Sequence, residues 1–128
     1  MGEVKVQCQL SNPLKPGGGA LSVNALVGTG AVMVLVGRDV ADKLELRPLG
    51  KTVAILADES KLELERAGPL RVQIGERVTH VDCLVGEPLV EPLIGQLVLE
   101  ALDLVVDCPR RTLSPRPDSP VYPSYKLK

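Results

Sequence analysis

The sequence contains no Phe and no Trp, and its only aromatic residues, Tyr122 and Tyr125, lie close to its C-terminal end. A hydrophobic core can therefore be built only from aliphatic side chains. Hydrophobic residues make up 45% of the 128 positions, which is enough for one domain with a core of its own. The lack of aromatic side chains disfavours stacking on nucleic-acid bases and an aromatic cage around a cation.

Concentrated charge, long apolar runs and paired cysteines are also absent. The formal net charge is −1, and Arg110 with Arg111 is the largest basic cluster, which argues against nucleic-acid binding. No apolar run approaches the roughly 18 residues of a membrane helix, and the first residues do not resemble a signal peptide, so we predict a cytoplasmic protein without a membrane span. Cys8, Cys83 and Cys108 lack CxxC spacing and accompany a single His; we expect reduced thiols, no metal and no other cofactor.

Short strand patterns separated by turn residues occupy most of the chain. Strands are predicted over residues 3–10, 21–27, 31–36, 51–56, 61–66, 70–74, 78–85, 104–106 and 111–113, and helices over 39–46, with Asp39 as N-cap, and 94–102. The pattern favours an all-β barrel or sandwich over residues 1–113. Residues 114–128 contain four prolines and are predicted to form an extended tail.

A glycine-containing loop, Gly28-Thr29-Gly30, follows the second predicted strand and allows two interpretations. The first is the dinucleotide-binding pattern G-x-G-x-x-G, which needs a third glycine and a helix that begins at the loop. Met33 occupies the third position, and the residues around it have a strand pattern. The dinucleotide interpretation is therefore weak.

The second interpretation is a resemblance to a protein family. Residues 26–31, Leu-Val-Gly-Thr-Gly-Ala, resemble the hydrophobic-hydrophobic-Asp-Thr-Gly-Ala signature of retropepsin-like (retroviral-type, clan AA) aspartic proteases, with small prokaryotic members as the nearest type. Leu93-Ile94-Gly95, followed by a helix, resembles the second signature of that family. The hairpin around residues 57–61 lies where the family carries its flap, and the resemblance extends over residues 4–113.

The resemblance implies a closed all-β barrel with one short C-terminal helix, assembled as a homodimer. In the family, each chain contributes one Asp to a dyad on the two-fold axis, which hydrolyses a bound peptide. Position 28 would carry that Asp, Thr29 would bond the partner's loop, and Gly30 would permit the tight turn. The residues implied to bind substrate are Ala31, Ala57, Asp58, Glu59, Ser60 and Ile94, in a groove lined by Val27, Val32, Ile55 and Ile94.

The sequence departs from the family at the catalytic position itself. Gly28 replaces the Asp, and glycine can neither hold a proton nor position a water. Asp39 and Asp58 are better explained as a helix cap and a turn residue than as substitutes. We therefore predict an inactive chain, either an engineered knockout or a natural pseudoprotease. The alternative is a non-catalytic peptide-binding or scaffold homodimer.

Two other constellations have simpler explanations than catalysis. His80 and Cys83 are three residues apart in a predicted strand, so their side chains point to opposite faces and are not expected to form a Cys–His pair. Glu63 and Glu65 alternate with leucines, as on the solvent face of a strand, and are not expected to form a glycosidase pair.

Overall fold

The computed structural model describes residues 3–28, 30–107 and 109–117, and most of them lie in strands. In chain order the elements are β1 (Lys5–Ser11), β2 (Ala20–Val27), β3 (Val34–Gly37), α1 (Arg38–Lys43), β4 (Arg47–Ile55), β5 (Lys61–Ile74), β6 (Arg77–Gly86), β7 (Leu93–Ile94), α2 (Gln96–Leu102), β8 (Leu104–Asp107) and β9 (Thr112–Pro115). The prediction for Thr29 and most of those for the tail concern residues outside the described part of the chain.

The strands form one large sheet and one small one. The large sheet has the order β1-β2-β7-β3-β6-β5-β4, and an additional pairing between β1 and β5 curls the sheet back on itself. The small sheet contains β8 and β9, and β9 ends at Pro115, two residues beyond the predicted domain boundary. The prediction of a mainly β-strand domain is confirmed.

Strand β5 is a single strand of 14 residues, whereas the sequence predicted two strands separated at Gly68-Pro69. Its residues 61–68 pair with β4, its residues 65–74 pair with β6, and its residues 71–73 also pair with β1. The register to β6 shifts between Ala67 and Leu70. A β-bulge absorbs the Gly-Pro pair without ending the strand, so the prediction of two separate strands is wrong.

The two predicted helices are present but shorter than predicted. Helix α1 has Gly37 at its N-cap, so the prediction of Asp39 as N-cap is wrong. The Asp39 carboxylate instead accepts a hydrogen bond from the Leu89 amide at 2.8 Å. Helix α2 begins at Gln96 because Leu93–Ile94 pair with neighbouring strands as β7.

The core is aliphatic, as the composition requires. Its largest fully buried side chains are Leu10, Leu70, Ile94, Leu102, Val34, Val36, Val72 and Val98, together with Cys8 and Cys83. Arg77 is the exception among the buried residues, with 6% exposure, and its guanidinium donates to the Leu102 carbonyl at 2.8 Å. This bond satisfies a main-chain carbonyl at the C-terminal end of α2, which has no partner within the helix.

The two buried thiols predict a loss of stability at alkaline pH. Burial raises the pKa of Cys8 from 9.0 to about 11 and that of Cys83 to about 12, with the Asp82 carboxylate adding to the effect on Cys83. The unfolded chain releases these protons first, so the stabilisation is complete below pH 9 and is lost as the pH rises towards 11 and 12. We expect denaturant unfolding to show this decline, and Cys83→Ala to make it shallower.

Thiol labelling provides an independent check of the same burial. At pH 8 we expect Cys8 and Cys83 to react with iodoacetamide only after denaturant is added, because both thiols are protonated and shielded. Rapid labelling of both residues in the folded protein would contradict the described core.

Candidate functional site

The short strand β7 lies between β2 and β3 and determines where the glycine loop runs. It pairs in parallel with β2, with Val27 opposite Ile94, and antiparallel with β3, with Leu35 opposite Leu93. Strands β2 and β3 are joined by residues 28–33, which we call the site loop. The site loop therefore crosses from one side of β7 to the other.

Main-chain hydrogen bonds join the site loop to the start of α2. The Gly28 amide donates to the Ile94 carbonyl at 2.9 Å. The Gln96 amide donates to the Ala31 carbonyl at 2.7 Å, and the Leu97 amide donates to the Val32 carbonyl at 3.1 Å. Two of the amides at the N-terminal end of α2 are thus used by the loop. The two sequence segments that carried the family resemblance form one structural unit.

Gly95 is required by this close approach. A Cβ at position 95 would lie 2.6 Å from the Met33 carbonyl oxygen and 2.7 Å from that of Val32. Both atoms belong to the main chain, so a side chain here would displace the site loop from α2.

Position 28 carries no acid, and a leucine side chain occupies part of the space that an acid would need. A Cβ built on Gly28 would lie 2.8 Å from Cδ1 of Leu93 and 3.6 Å from Cβ of Ala31. Cδ1 is the far end of a flexible side chain, which a rotation can move away. Two residues further on, a Cβ at Gly30 would meet no atom within 4 Å.

The hairpin predicted as a flap is present, formed by β4 and the first half of β5 with residues 56–60 at its tip. The Leu56 amide donates to the Ser60 carbonyl at 2.9 Å, and the Glu59 amide donates to the Leu56 carbonyl at 2.8 Å. The Asp58 carboxylate accepts bonds from the Ser60 hydroxyl and amide, which lower the pKa of Asp58. Ala57 is exposed like the rest of the tip, and Asp58 is a turn residue as expected.

The two faces of this hairpin differ in burial. Ala54 pairs with Leu62 on one face, and residues of that face on β4 are partly buried. Val53 and Ile55 lie on the opposite face and are exposed, Ile55 at 70%. Leu62 is 46% exposed and is the most accessible large apolar side chain on the partly buried face.

Two of the predicted groove residues are buried in the core. Ile94 is 1% exposed and Val27 belongs to the core, so neither side chain lines a groove. Ile55 is exposed, on the face of the hairpin opposite to Ala54 and Leu62. Adjacent positions in a strand point to opposite sides, and the sequence alone did not show which side was the core. Val32 is 62% exposed at the site loop.

The remaining candidate residues are engaged in ordinary surface contacts. Glu65 pairs with Arg38 at 2.7 Å, which lowers the pKa of Glu65, and Glu63 pairs with Lys51 at 3.1 Å. His80 is exposed whereas Cys83 is buried, so the two do not form a reactive pair. Among residues 3–28, 30–107 and 109–117, no group of three His, Cys, Asp or Glu side chains is arranged to hold a metal ion, and no helix is long and apolar enough to cross a membrane.

Comparison with known proteins gives matches only at the level of structure. No family model matches the sequence, and no curated protein does. The retroviral protease-like domain of Ddi1 from Leishmania major matches with a TM-score of 0.61 at 15% identity, over 91% of this chain and 90% of that one. The EIAV protease in complex with the inhibitor HBY-793 matches with a TM-score of 0.60 at 15% identity, over 77% and 86%. The fold is retropepsin-like.

The sequence pattern did not show that the Leu93 side chain lies at the site. Leu93 reads as an ordinary apolar residue before Ile94, yet its side chain lies against position 28. No signal in the sequence distinguishes a leucine directed at the loop from one directed into the core.

Proposed function

We propose that the chain is a retropepsin-type aspartic endopeptidase domain that has lost hydrolysis and keeps the binding of an extended peptide. The observation that carries the proposal is the unit made by the site loop and α2, together with the hairpin β4–β5. An aspartic dyad needs one carboxyl to activate water and another to polarise the peptide carbonyl. Gly28 supplies neither.

The proposal includes a homodimer with the two site loops on its two-fold axis. A chain with one Gly-Thr-Gly loop provides half of a dyad-type site, so a second copy is needed to complete the groove. Exposed apolar side chains at the site loop and the start of α2, Val32 and Leu97, suit burial against a partner. Their location beside Gly28 supports a shared site.

The proposed ligand is an extended peptide with apolar side chains. Extended peptides are held by main-chain hydrogen bonds, and pockets for alternate side chains supply selectivity. Leu62 on the partly buried face of the hairpin and Val32 at the site loop would provide aliphatic contacts. We expect no preference for acidic or basic peptides.

A second candidate is a scaffold homodimer that neither cleaves nor binds peptides. The position of Leu93 favours it, because its Cδ1 lies 2.8 Å from where a Cβ of residue 28 would be.

Peptide binding by the unaltered chain tests the proposal. We expect sedimentation equilibrium to show a dimer, and calorimetry to show one apolar peptide bound per dimer. Leu62→Asp should weaken binding about tenfold or more, because it removes the burial of a leucine side chain. Ile55→Asp, on the opposite face of the same hairpin, is the matched control and should leave binding unchanged.

The outcomes separate the two candidates. A dimer that binds no peptide would favour the scaffold. A monomer at high protein concentration would contradict both candidates, because each requires two copies.

A further inference from the structure

A surface cavity of about 270 Å³ lies between the β5–β6 turn and the β8–β9 hairpin, and we call it the C-terminal cavity. Its apolar lining comes from Ile74, Leu104, Leu113 and Pro115, and Glu76 and Arg77 add charged groups. None of these residues belongs to the site loop or to the hairpin β4–β5. The C-terminal cavity is therefore separate from the proposed peptide site.

The size and lining of the C-terminal cavity suit one aromatic ring. An apolar cavity of about 150 Å³ is large enough to take benzene. A phenol ring would fit the larger volume, with its ring against Ile74, Leu104 and Leu113 and its hydroxyl near Glu76 and Arg77. Tyrosine, with an apolar ring and a polar tip, matches such a mixed lining.

The chain itself leads to the cavity. Pro115 lines it, and the next residue, Arg116, is held in place by two contacts with Asp103. The Arg116 amide donates to the Asp103 carbonyl at 3.0 Å, and the guanidinium pairs with the Asp103 carboxylate. The described chain ends at Pro117, two residues after Pro115 of the cavity lining.

Residues 118–128 contain the chain's only aromatic side chains, Tyr122 and Tyr125. The intervening Asp118-Ser119-Pro120 consists of residues that favour chain reversal. Tyr122 is seven positions after Pro115, and an extended stretch of that length spans at most about 25 Å. With a reversal at residues 118–120, a stretch of this length would let Tyr122 reach the cavity.

We propose that the C-terminal segment folds back on its own domain and that the ring of Tyr122 fills the C-terminal cavity. This contact gives the aromatic side chain a buried position and secures the tail to the β8–β9 hairpin. It does not depend on the dimer or on the peptide site.

Tyrosine fluorescence tests the proposal directly, because the chain has no Trp and every tyrosine signal comes from this segment. In full-length Tyr125→Phe, which keeps Tyr122 as the only tyrosine, we expect acrylamide quenching several-fold weaker than for free N-acetyltyrosinamide. Full-length Tyr122→Phe is the matched control and should be quenched like the free compound. Leu113→Asp in the Tyr125→Phe chain should raise quenching to the free value.

Nuclear Overhauser contacts provide a second measurement, which uses the unaltered chain and so does not depend on a variant being folded. Contacts from the Tyr122 ring to the methyl groups of Leu104 and Leu113 would support the proposal. Equal, free-like quenching of both tyrosines without such contacts would overturn it. Contacts seen only between differently labelled copies would also overturn it, since the occupant would then be the tail of another molecule.

Discussion

Gly28→Asp is expected to convert the chain into a peptidase that cleaves apolar peptides. The substitution supplies one carboxyl per protomer, and two protomers then provide the acid and the base of a dyad. The Ala31, Gln96 and Leu97 main-chain bonds that hold the site loop do not involve a side chain of residue 28, so they remain available. We expect cleavage about 10²–10⁴-fold faster than with the Gly28→Asn control, which has a similar shape but cannot transfer protons.

The activity of Gly28→Asp is expected to depend on the side chain at position 93. Its Cδ1 lies where the new side chain begins, so the double variant Gly28→Asp with Leu93→Val should be more active than the single one. Because two facing carboxyls share one proton, the rate should rise and then fall across an acidic pH range. A folded, dimeric Gly28→Asp chain without cleavage, even with Leu93→Val, would favour the scaffold.

Gly95→Ala is expected to cause the largest loss of stability among single substitutions at the site. The added methyl group would lie 2.6 Å and 2.7 Å from two main-chain oxygens of the site loop, which cannot rotate away. Overpacking of this kind costs about 1–3 kcal/mol. We expect a loss near the upper end of this range, because main-chain atoms cannot move aside as a side chain can. Denaturant unfolding measures the loss.

The matched control for Gly95→Ala is Gly30→Ala, where the new Cβ has no neighbour within 4 Å. We expect the control to change the free energy of unfolding by less than about 0.5 kcal/mol. In the Gly28→Asp background, Gly95→Ala should also abolish cleavage, because it moves the loop that carries the acid. Equal stability of the two alanine variants would contradict the described packing of loop and helix.

Much of the fold could be predicted because the local sequence and the tertiary structure agree. Cys8 and Leu10 alternate with polar residues in β1, and both are buried as that alternation requires. Gly28-Thr29-Gly30 and Leu93-Ile94-Gly95 were matched as two separate signatures, and the structure places the two segments in contact.

The sequence-based predictions that were wrong depend on tertiary contacts. Gly68-Pro69 reads as a strand end, but pairing of β5 with strands on both sides makes a bulge more favourable than a break. The directions of Leu93 and Ile94 depend on the position of β7 between β2 and β3, which no local pattern encodes. Arg77 reads as a surface residue, and only the tertiary structure brings the Leu102 carbonyl to it.

Oxidative cross-linking tests directly whether two copies bring their site loops together at position 28. Gly28→Cys in a Cys108→Ser background introduces a thiol on the proposed axis, while Cys8 and Cys83 remain buried. A disulfide requires the two Cα atoms to lie within about 7 Å, so it forms only if the two loops are close together. Gly75→Cys, in the exposed β5–β6 turn, is the control in the same background.

We expect the Gly28→Cys chain to be converted to a covalent dimer, while the Gly75→Cys control stays largely monomeric on denaturing gels. A Gly28→Cys chain that remains uncross-linked under conditions in which it is folded and dimeric would contradict the shared site.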